Sequence, residues 1–150
     1  MSIRVAKEKD LEQLIEMLSD DQLGALREEF TLPLPDAYRS AFENISRDKN
    51  QELMVLTNAE DSVIGMFQLS FIQYLTYKGG VRAQIEGVRV SKQHRGKGHG
   101  KQMFEWAIER AKEKGAHLIQ LTSDKQRPEA IEFYKTLGFV ASHEGLKLKL

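Results

Sequence analysis

The 150-residue chain contains no cysteine. That excludes disulfides, thiolate metal sites and a cysteine nucleophile. There is no excess charge of either sign, since Lys plus Arg and Asp plus Glu both number 22. Such a balance speaks against nucleic acid or an anionic membrane surface as the main partner. No apolar run approaches the length of a membrane span, and the amino terminus carries charges where a secretory leader needs an apolar core. A cytoplasmic location is the expectation. Repeats, low-complexity stretches and linkers are also absent, so residues 1–150 are expected to form one domain. His94, His99, His117 and His143 show no ligand spacing, and no metal site is expected. With 41% hydrophobic and 29% charged residues, the composition is that of an ordinary globular chain able to bury a core.

In chain order, Ile3 to Ala6 reads as a short strand. Leu11, Leu14, Ile15 and Leu18 then recur at helical spacing behind Asp10, a candidate N-cap. The pattern blurs after Ser19-Asp20-Asp21. Leu23, Leu26 and Phe30 suggest a second helical piece that Pro33 and Pro35 would break. A further helix is expected over Asp36–Arg47. Glu52–Thr57 and Ser62–Ile72 form an antiparallel hairpin. The aromatic and polar stretch from Gln73 to Gly80 either borders a substrate cleft or is a surface loop with packed tyrosines. Val81–Val90 is the expected central strand. After a glycine-rich turn, a helix runs to about Lys114, with Gly115 just past its end. His117–Leu121 is a short strand, and Pro128 opens a helix that stops at Gly138. Phe139–Leu150 is expected to return as strand, in a hairpin around His143-Glu144-Gly145. The order implies a mixed α/β sheet with helices on its faces.

The turn after Val90 is the most informative stretch. A strand, a glycine-rich turn and a helix make an anion site: the first-turn N–H groups point outward, and the helix dipole adds positive charge. Gly96, Gly98 and Gly100 let a phosphate approach the backbone without meeting a Cβ. Arg95, Lys97 and Lys101 add full charges. Charge-assisted bonds of this kind are worth roughly 1.5–3 kcal/mol each, so a few could hold a diphosphate. Two familiar phosphate loops do not fit. Gly100-Lys101 is followed by Gln102, which offers no hydroxyl to magnesium, and the three glycines run G-x-G-x-G rather than G-x-G-x-x-G.

What does fit is R-x-x-G-x-G, filled by Arg95, Gly98 and Gly100. Downstream, Ala130-Ile131-Glu132-Phe133-Tyr134-Lys135-Thr136-Leu137-Gly138-Phe139 follows the pattern A-x-x-F-Y-x-x-L-G-F. Together the two motifs resemble the GNAT superfamily of N-acetyltransferases, and the likeness extends over essentially the whole chain. The resemblance implies a mixed, mostly antiparallel sheet whose two central parallel strands splay apart, with helices on both faces. It also implies acetyl-coenzyme A as cosubstrate, its diphosphate on the glycine loop at Arg95, Gly96, Lys97, Gly98, His99, Gly100 and Lys101. The pantetheine arm would follow Val88, Arg89 and Val90. More narrowly, the I-E-x-V-x-V strand, the T-x-x-x-R turn and G-F-x-x-S-H resemble aminoalkylphosphonate acetyltransferases, and also bacterial relatives labelled as regulators.

Acetyl transfer to an amine poses two protonic problems. An alkylamine has a pKa of about 10, so only about a thousandth is nucleophilic at neutral pH. The departing thiolate in turn needs a proton or a hydrogen bond. By resemblance, Tyr134 is the donor at sulfur, unless it is only a core tyrosine beside Phe133. Glu86 is the candidate base, directly or through water, and by alternation it shares a strand face with Val88 and Val90. It could equally be a carboxylate paired with Arg82 or Arg89. Gly87 stands where many relatives carry an acid, which weakens a two-carboxylate scheme. The oxyanion would take a backbone N–H near Val90. Asp124 occupies a position where relatives place an asparagine that bonds the pantetheine arm, and Arg127 either reaches a phosphate or caps its turn. Tyr74, Tyr77, Arg82 and Glu144 are candidate acceptor contacts. The expected activity is transfer of acetyl to the primary amine of a small molecule, in a ternary complex and with a homodimer as a possible assembly. The rival readings are a non-catalytic acetyl-coenzyme A-binding regulator and a protein or peptide acetyltransferase.

Overall fold

A computed structural model describes all residues 1–150. The strands are β1 (Ser2–Val5), β2 (Gln51–Thr57), β3 (Val63–Gln73), β4 (Val81–Val90) and β5 (Ala116–Gln120). The helices are α1 (Leu11–Ser19), α2 (Asp36–Arg47), the one-turn α3 (Thr76–Gly79), α4 (His99–Glu113) and α5 (Pro128–Thr136). The sheet order is β1-β2-β3-β4-β5. The first four strands pair antiparallel, and β4 pairs with β5 in parallel.

Alternation along β2 and β3 divides the core into two layers. Met54, Leu56, Phe67 and Leu69 face α4, whose Met103, Phe104, Ala107 and Ala111 recur three and four apart and are buried. Leu53, Val55 and Met66 face the other way, against Leu14 and Met17 of α1 and the partly buried Phe42 and Ile45 of α2. Helices therefore cover both faces of the sheet. No helix is long and apolar enough to cross a membrane.

A bulge in β4 corrects one expectation. Gly65 pairs with Val90 and Met66 with Arg89, but Gln68 already pairs with Glu86. The extra residue is taken up at Gly87, whose φ of +61° suits glycine. Alternation is broken there. Val88 and Val90 join Ala83 and Ile85 on the α4 side. Glu86 and Arg89, paired with Gln68 and Met66, are on the α1 side, so Glu86 does not share a face with Val88 and Val90.

Three further expectations change. Asp10 makes no side-chain cap on α1. Its carboxylate is buried and accepts instead from the Lys7 N–H (2.7 Å) and from Arg4 Nη1 (2.7 Å), pinning β1 to the turn before α1. Residues 22–27 form turns and 28–30 no regular structure, rather than a second helix, because Leu26 and Phe30 stay exposed and find no core to cover. Phe139–Leu150 forms no strand. Leu146, Leu148 and Leu150 alternate as a strand would, but they are exposed and pair with nothing. The parallel pair β4/β5 thus lies at one side of the sheet, with β5 as its edge.

Two consequences can be measured. Phe104 is 1% exposed and touches the rings of Phe133, Tyr134 and Phe139 at 5.4–5.9 Å between centroids. Phe104→Ala should cost about 3–5 kcal/mol in denaturant unfolding; a loss below 1 kcal/mol would contradict this packing. Glu52 accepts from Arg110 Nε (2.9 Å) and Nη2 (2.7 Å), with Lys114 Nζ at 3.3 Å. Mainly through Arg110, and against the opposing effect of burial, its carboxyl is held below the ordinary carboxylate value. The stability from this pair is complete above about pH 4.3 and is lost as pH falls through the lowered folded value. Glu52→Gln should flatten that acid limb in an unfolding series across pH.

Candidate active site

Pairing between β4 and β5 stops at Gln84 and Gln120, while β4 continues to Val90. On that side Ile85 to Val90 have no strand partner, so the two strands fork. Three elements converge on the fork: the glycine turn and amino end of α4, α5 with Tyr134, and the carboxyl end of α1 with Asp20 and Asp21.

The glycine turn has the form of an open cradle. Gly96 and Gly98 have φ of +74° and +82°, and Gly98 is the N-cap of α4. A Cβ built on either would meet nothing within 4 Å, so the space beside them is free. The first helical hydrogen bond of α4 runs from the Gln102 N–H to the Gly98 carbonyl (3.1 Å). The N–H groups of His99, Gly100 and Lys101 therefore have no protein acceptor, as in the first turn of any helix without a side-chain cap. Lys97 is exposed and unpaired, and Lys101 has only Glu105 at 3.7 Å. Arg95 is differently engaged. Its Nε donates to the Val90 carbonyl (3.0 Å) and its Nη2 to Asp20 (2.8 Å), tying the turn to the end of α1. His94 bonds Ser91 (2.8 Å), and His99 is buried.

Tyr134 is half-buried against Phe104, Phe133 and Phe139, and its hydroxyl has no partner in the protein. Burial raises its pKa. The charges of Arg127 and Arg89 pull the other way, and Glu86 adds to the rise. Tyr134 is thus brought together with Glu86, Arg89 and Arg127 and is held in its protonated form at neutral pH. Glu86 is exposed and accepts from Gln84 Nε2 (2.8 Å), and Gln84 Oε1 in turn accepts from Gln120 Nε2 (2.9 Å) across the root of the fork.

Asp21 is the residue that sequence reasoning missed. Its Oδ2 accepts from Arg127 Nη2 (2.8 Å) and lies 3.4 Å from Arg89 Nη2. Burial raises its pKa, but the Gly24 N–H and the two arginines outweigh that and lower it. A signal was present. Two aspartates directly after a helix face the negative end of its dipole, so they need outside cations. Arg95, Arg89 and Arg127 are those cations.

Other candidates lie elsewhere. Asp124 accepts from the Gln126 N–H (2.9 Å) and its carbonyl from the Arg127 N–H (2.9 Å), which builds the turn into α5. Tyr74 and Tyr77 lie over the Arg82 guanidinium at 4.7 and 5.1 Å, and Tyr77 stacks on His117 at 4.9 Å. That cluster stands where Val81 and Arg82 pair with Ala116 and Leu118, the closed end of the β4/β5 pair. Glu144 is exposed, with Lys125 at 3.7 Å.

The model of the acetyltransferase (GNAT) family matches residues 13–139. Aminoalkylphosphonate N-acetyltransferase from Salmonella typhimurium is 32% identical over 108 residues, covering 71% of this chain and 68% of that protein. Among solved structures, a transcriptional regulator from Bacillus halodurans C-125 superposes with a TM-score of 0.95 at 57% identity, over 99% of both chains. A Trypanosoma brucei acetyltransferase does so with a TM-score of 0.79 at 25% identity, again over 99% of both.

The cradle depends on backbone that only glycine adopts at low cost. Gly98→Ala should destabilise the protein by about 1–2 kcal/mol through its positive φ alone, with no steric clash. Equilibrium unfolding of the variant measures this, and an unchanged midpoint would show that the turn is not held in this form.

Proposed function

Because the chain belongs to the GNAT acetyltransferase family and is thereby an acyltransferase, we propose that it transfers acetyl from acetyl-coenzyme A to the primary amine of a small molecule. The observation that carries this is the fork itself, open between β4 and β5, with a glycine cradle at its mouth and an unpartnered phenol beside it. The residues suit the cosubstrate. Free N–H groups at His99, Gly100 and Lys101, with the charges of Lys97 and Lys101, would receive a diphosphate. Backbone along Val88, Arg89 and Val90, which has no strand partner on this edge, would hydrogen-bond an amide-bearing arm as a missing strand would. A donor near Val90 would bond the thioester oxygen.

The chemistry then follows from proton positions. The acceptor ammonium gives its proton to Glu86, directly or through water. The amine nitrogen forms a bond to the thioester carbonyl carbon, the tetrahedral intermediate gives up its second nitrogen proton to solvent, and the carbon–sulfur bond then breaks to leave the amide, while Glu86 returns its proton to solvent. The thiolate takes its proton from the Tyr134 hydroxyl, which regains one from solvent. The aminoalkylphosphonate N-acetyltransferase relative supports a small amine as acceptor. The expected cytoplasmic location and single domain accord with this reading.

The name of the Bacillus halodurans relative favours one second reading, in which the same pocket binds acetyl-coenzyme A in order to regulate. The two readings part at Tyr134. Under the enzymatic one, Tyr134→Phe lowers kcat by about 100-fold or more, while calorimetry finds acetyl-coenzyme A affinity little changed. Because the phenol pKa is raised, loss of this proton should not limit turnover below about pH 10. Thiol release across a broad amine panel is the direct test, and silence over the whole panel favours the regulator.

A further inference from the structure

The apolar layer on the α1 face ends before the fork, since none of its buried members comes from β4 or β5. Beyond it that face turns polar, with Gln68 and Ser70 on β3, Gln84 and Glu86 on β4, and Gln120 on β5. Gln68 pairs with Glu86, Ser70 with Gln84, and Gln84 with Gln120. The hydrogen bonds among these side chains run one way. Gln120 Nε2 donates to Gln84 Oε1 (2.9 Å), and Gln84 Nε2 donates to Glu86 Oε1 (2.8 Å). Both donors point toward Glu86. Gln68, the other amide beside Glu86, spends its Nε2 on Gln51 Oε1 (2.7 Å). Gln84 and Gln120 are half-buried and form the last pair before β5 leaves β4, whereas Glu86 is exposed.

The neutrality of this support is the informative part. Two arginines of β4 share the face, and neither pairs with Glu86. The Arg82 guanidinium packs against the rings of Tyr74 and Tyr77 at 4.7 and 5.1 Å, and Arg89 faces Asp21 at 3.4 Å. A cation on Glu86 would neutralise it and compete with an incoming ammonium. An amide orients a carboxylate and leaves it its charge. Amides bonded in series also polarise one another, so Gln120 strengthens the bond that Gln84 gives. Without that bond an exposed glutamate samples several rotamers. A catalytic group displaced by about 1 Å can cost on the order of 100-fold in rate.

We propose that Gln84 and Gln120 are positioning residues for the acetyl transfer. Their amides hold Glu86 by Oε1, so that Oε2, uncommitted and still charged, takes the proton of the acceptor ammonium. This rests on the reading of Glu86 as the base and adds the residues that aim it. The proton passes from the ammonium nitrogen to Oε2, and Gln84 keeps its bond to Oε1 throughout.

The test is a double-mutant cycle read by thiol release, with acetyl-coenzyme A and the fastest amine of a broad panel, ethylamine, spermidine and 2-aminoethylphosphonate included. Glu86→Gln should lower kcat by about 100-fold or more. Gln84→Met keeps the bulk and removes the donor. It should lower kcat by about 10-fold and leave KM for acetyl-coenzyme A unchanged. In the Glu86→Gln background it should change nothing further, because the two residues act as a unit. A loss repeated in full in that background would mark a merely structural role and overturn the inference, as would no loss in either. Gln120→Glu tests the direction of the relay. A carboxylate there can only accept, so it would draw the Gln84 amide away from Glu86. The variant should reproduce the losses of Gln84→Met, and it keeps the test open should that variant fail to fold. A second readout needs no turnover. In ¹⁵N-labelled protein the Gln84 side-chain amide protons should move upfield in Glu86→Gln, where a neutral group replaces the charged acceptor. Unmoved signals would overturn the inference whatever the kinetics give. Turnover that Glu86→Gln leaves intact would overturn both the relay and the base while acetyl transfer stands. Silence of the unaltered protein over the whole panel would overturn the transfer reading and the inference together.

Discussion

The arrest of pairing between β4 and β5 after Gln84 and Gln120 is the constraint on which the site depends. Backbone N–H and C=O groups seek partners, and a sheet normally supplies them. Here β4 runs on to Val90 with its β3 edge paired and its other edge open. An open edge in the middle of a fold is kept apart by what surrounds it. The bulge at Gly87 twists the strand where the fork opens, and the turn at Gly96 and Gly98 starts α4 over its mouth. Tyr134 packs with Phe104 and Phe139, which fixes α5 beside the opening. The same bulge settles which side chains point to which face.

Asp20 and Asp21 join the parts. Both lie beyond the last turn of α1, where the dipole disfavours negative charge. They gain their cations from three separate places: Arg95 in the glycine turn, Arg89 in β4 and Arg127 before α5. One short acidic step thereby ties α1, the cradle and α5 into a single frame around the fork. These are partly exposed pairs, so each is worth little in stability. Their effect is positional.

Much of this was legible in the sequence where local chemistry decides structure. The bounds of β4, the glycine turn, Gly115 after α4 and Pro128 at the start of α5 follow from residue preferences alone. The two motifs that resemble the family also carry the fork residues Arg95, Gly98 and Tyr134. Features set by partners distant in the chain were not legible. The Gly87 bulge is a mismatch in register between two strands, and neither strand shows it by itself. Asp10 looked like a helix cap because it stood before one, but Arg4 claimed it. The alternation of Leu146, Leu148 and Leu150 is what a strand has, yet a strand also needs a neighbour to bond, and alternation does not report that. Asp21 follows a helix end and needs cations, but which arginines pair with it is set only by the fold.

The state of Tyr134 bears on the order of chemical steps in the proposed transfer. A chain without cysteine could still form an acyl-enzyme on an oxygen nucleophile, and a phenol is the obvious one in the fork. A phenol attacks well only as phenolate, which burial disfavours at Tyr134. The same burial leaves the hydroxyl protonated and unpartnered, the condition a proton donor needs when a thiolate departs. The charges of Arg127 and Arg89 temper the rise without cancelling it. In the proposed transfer, nucleophile and donor would therefore be different groups: the acceptor amine would supply the electron pair, and Tyr134 the proton to sulfur. With no acyl-enzyme in the proposed transfer, neither substrate would have to leave before the other binds. Direct attack in a ternary complex is the order that this division permits.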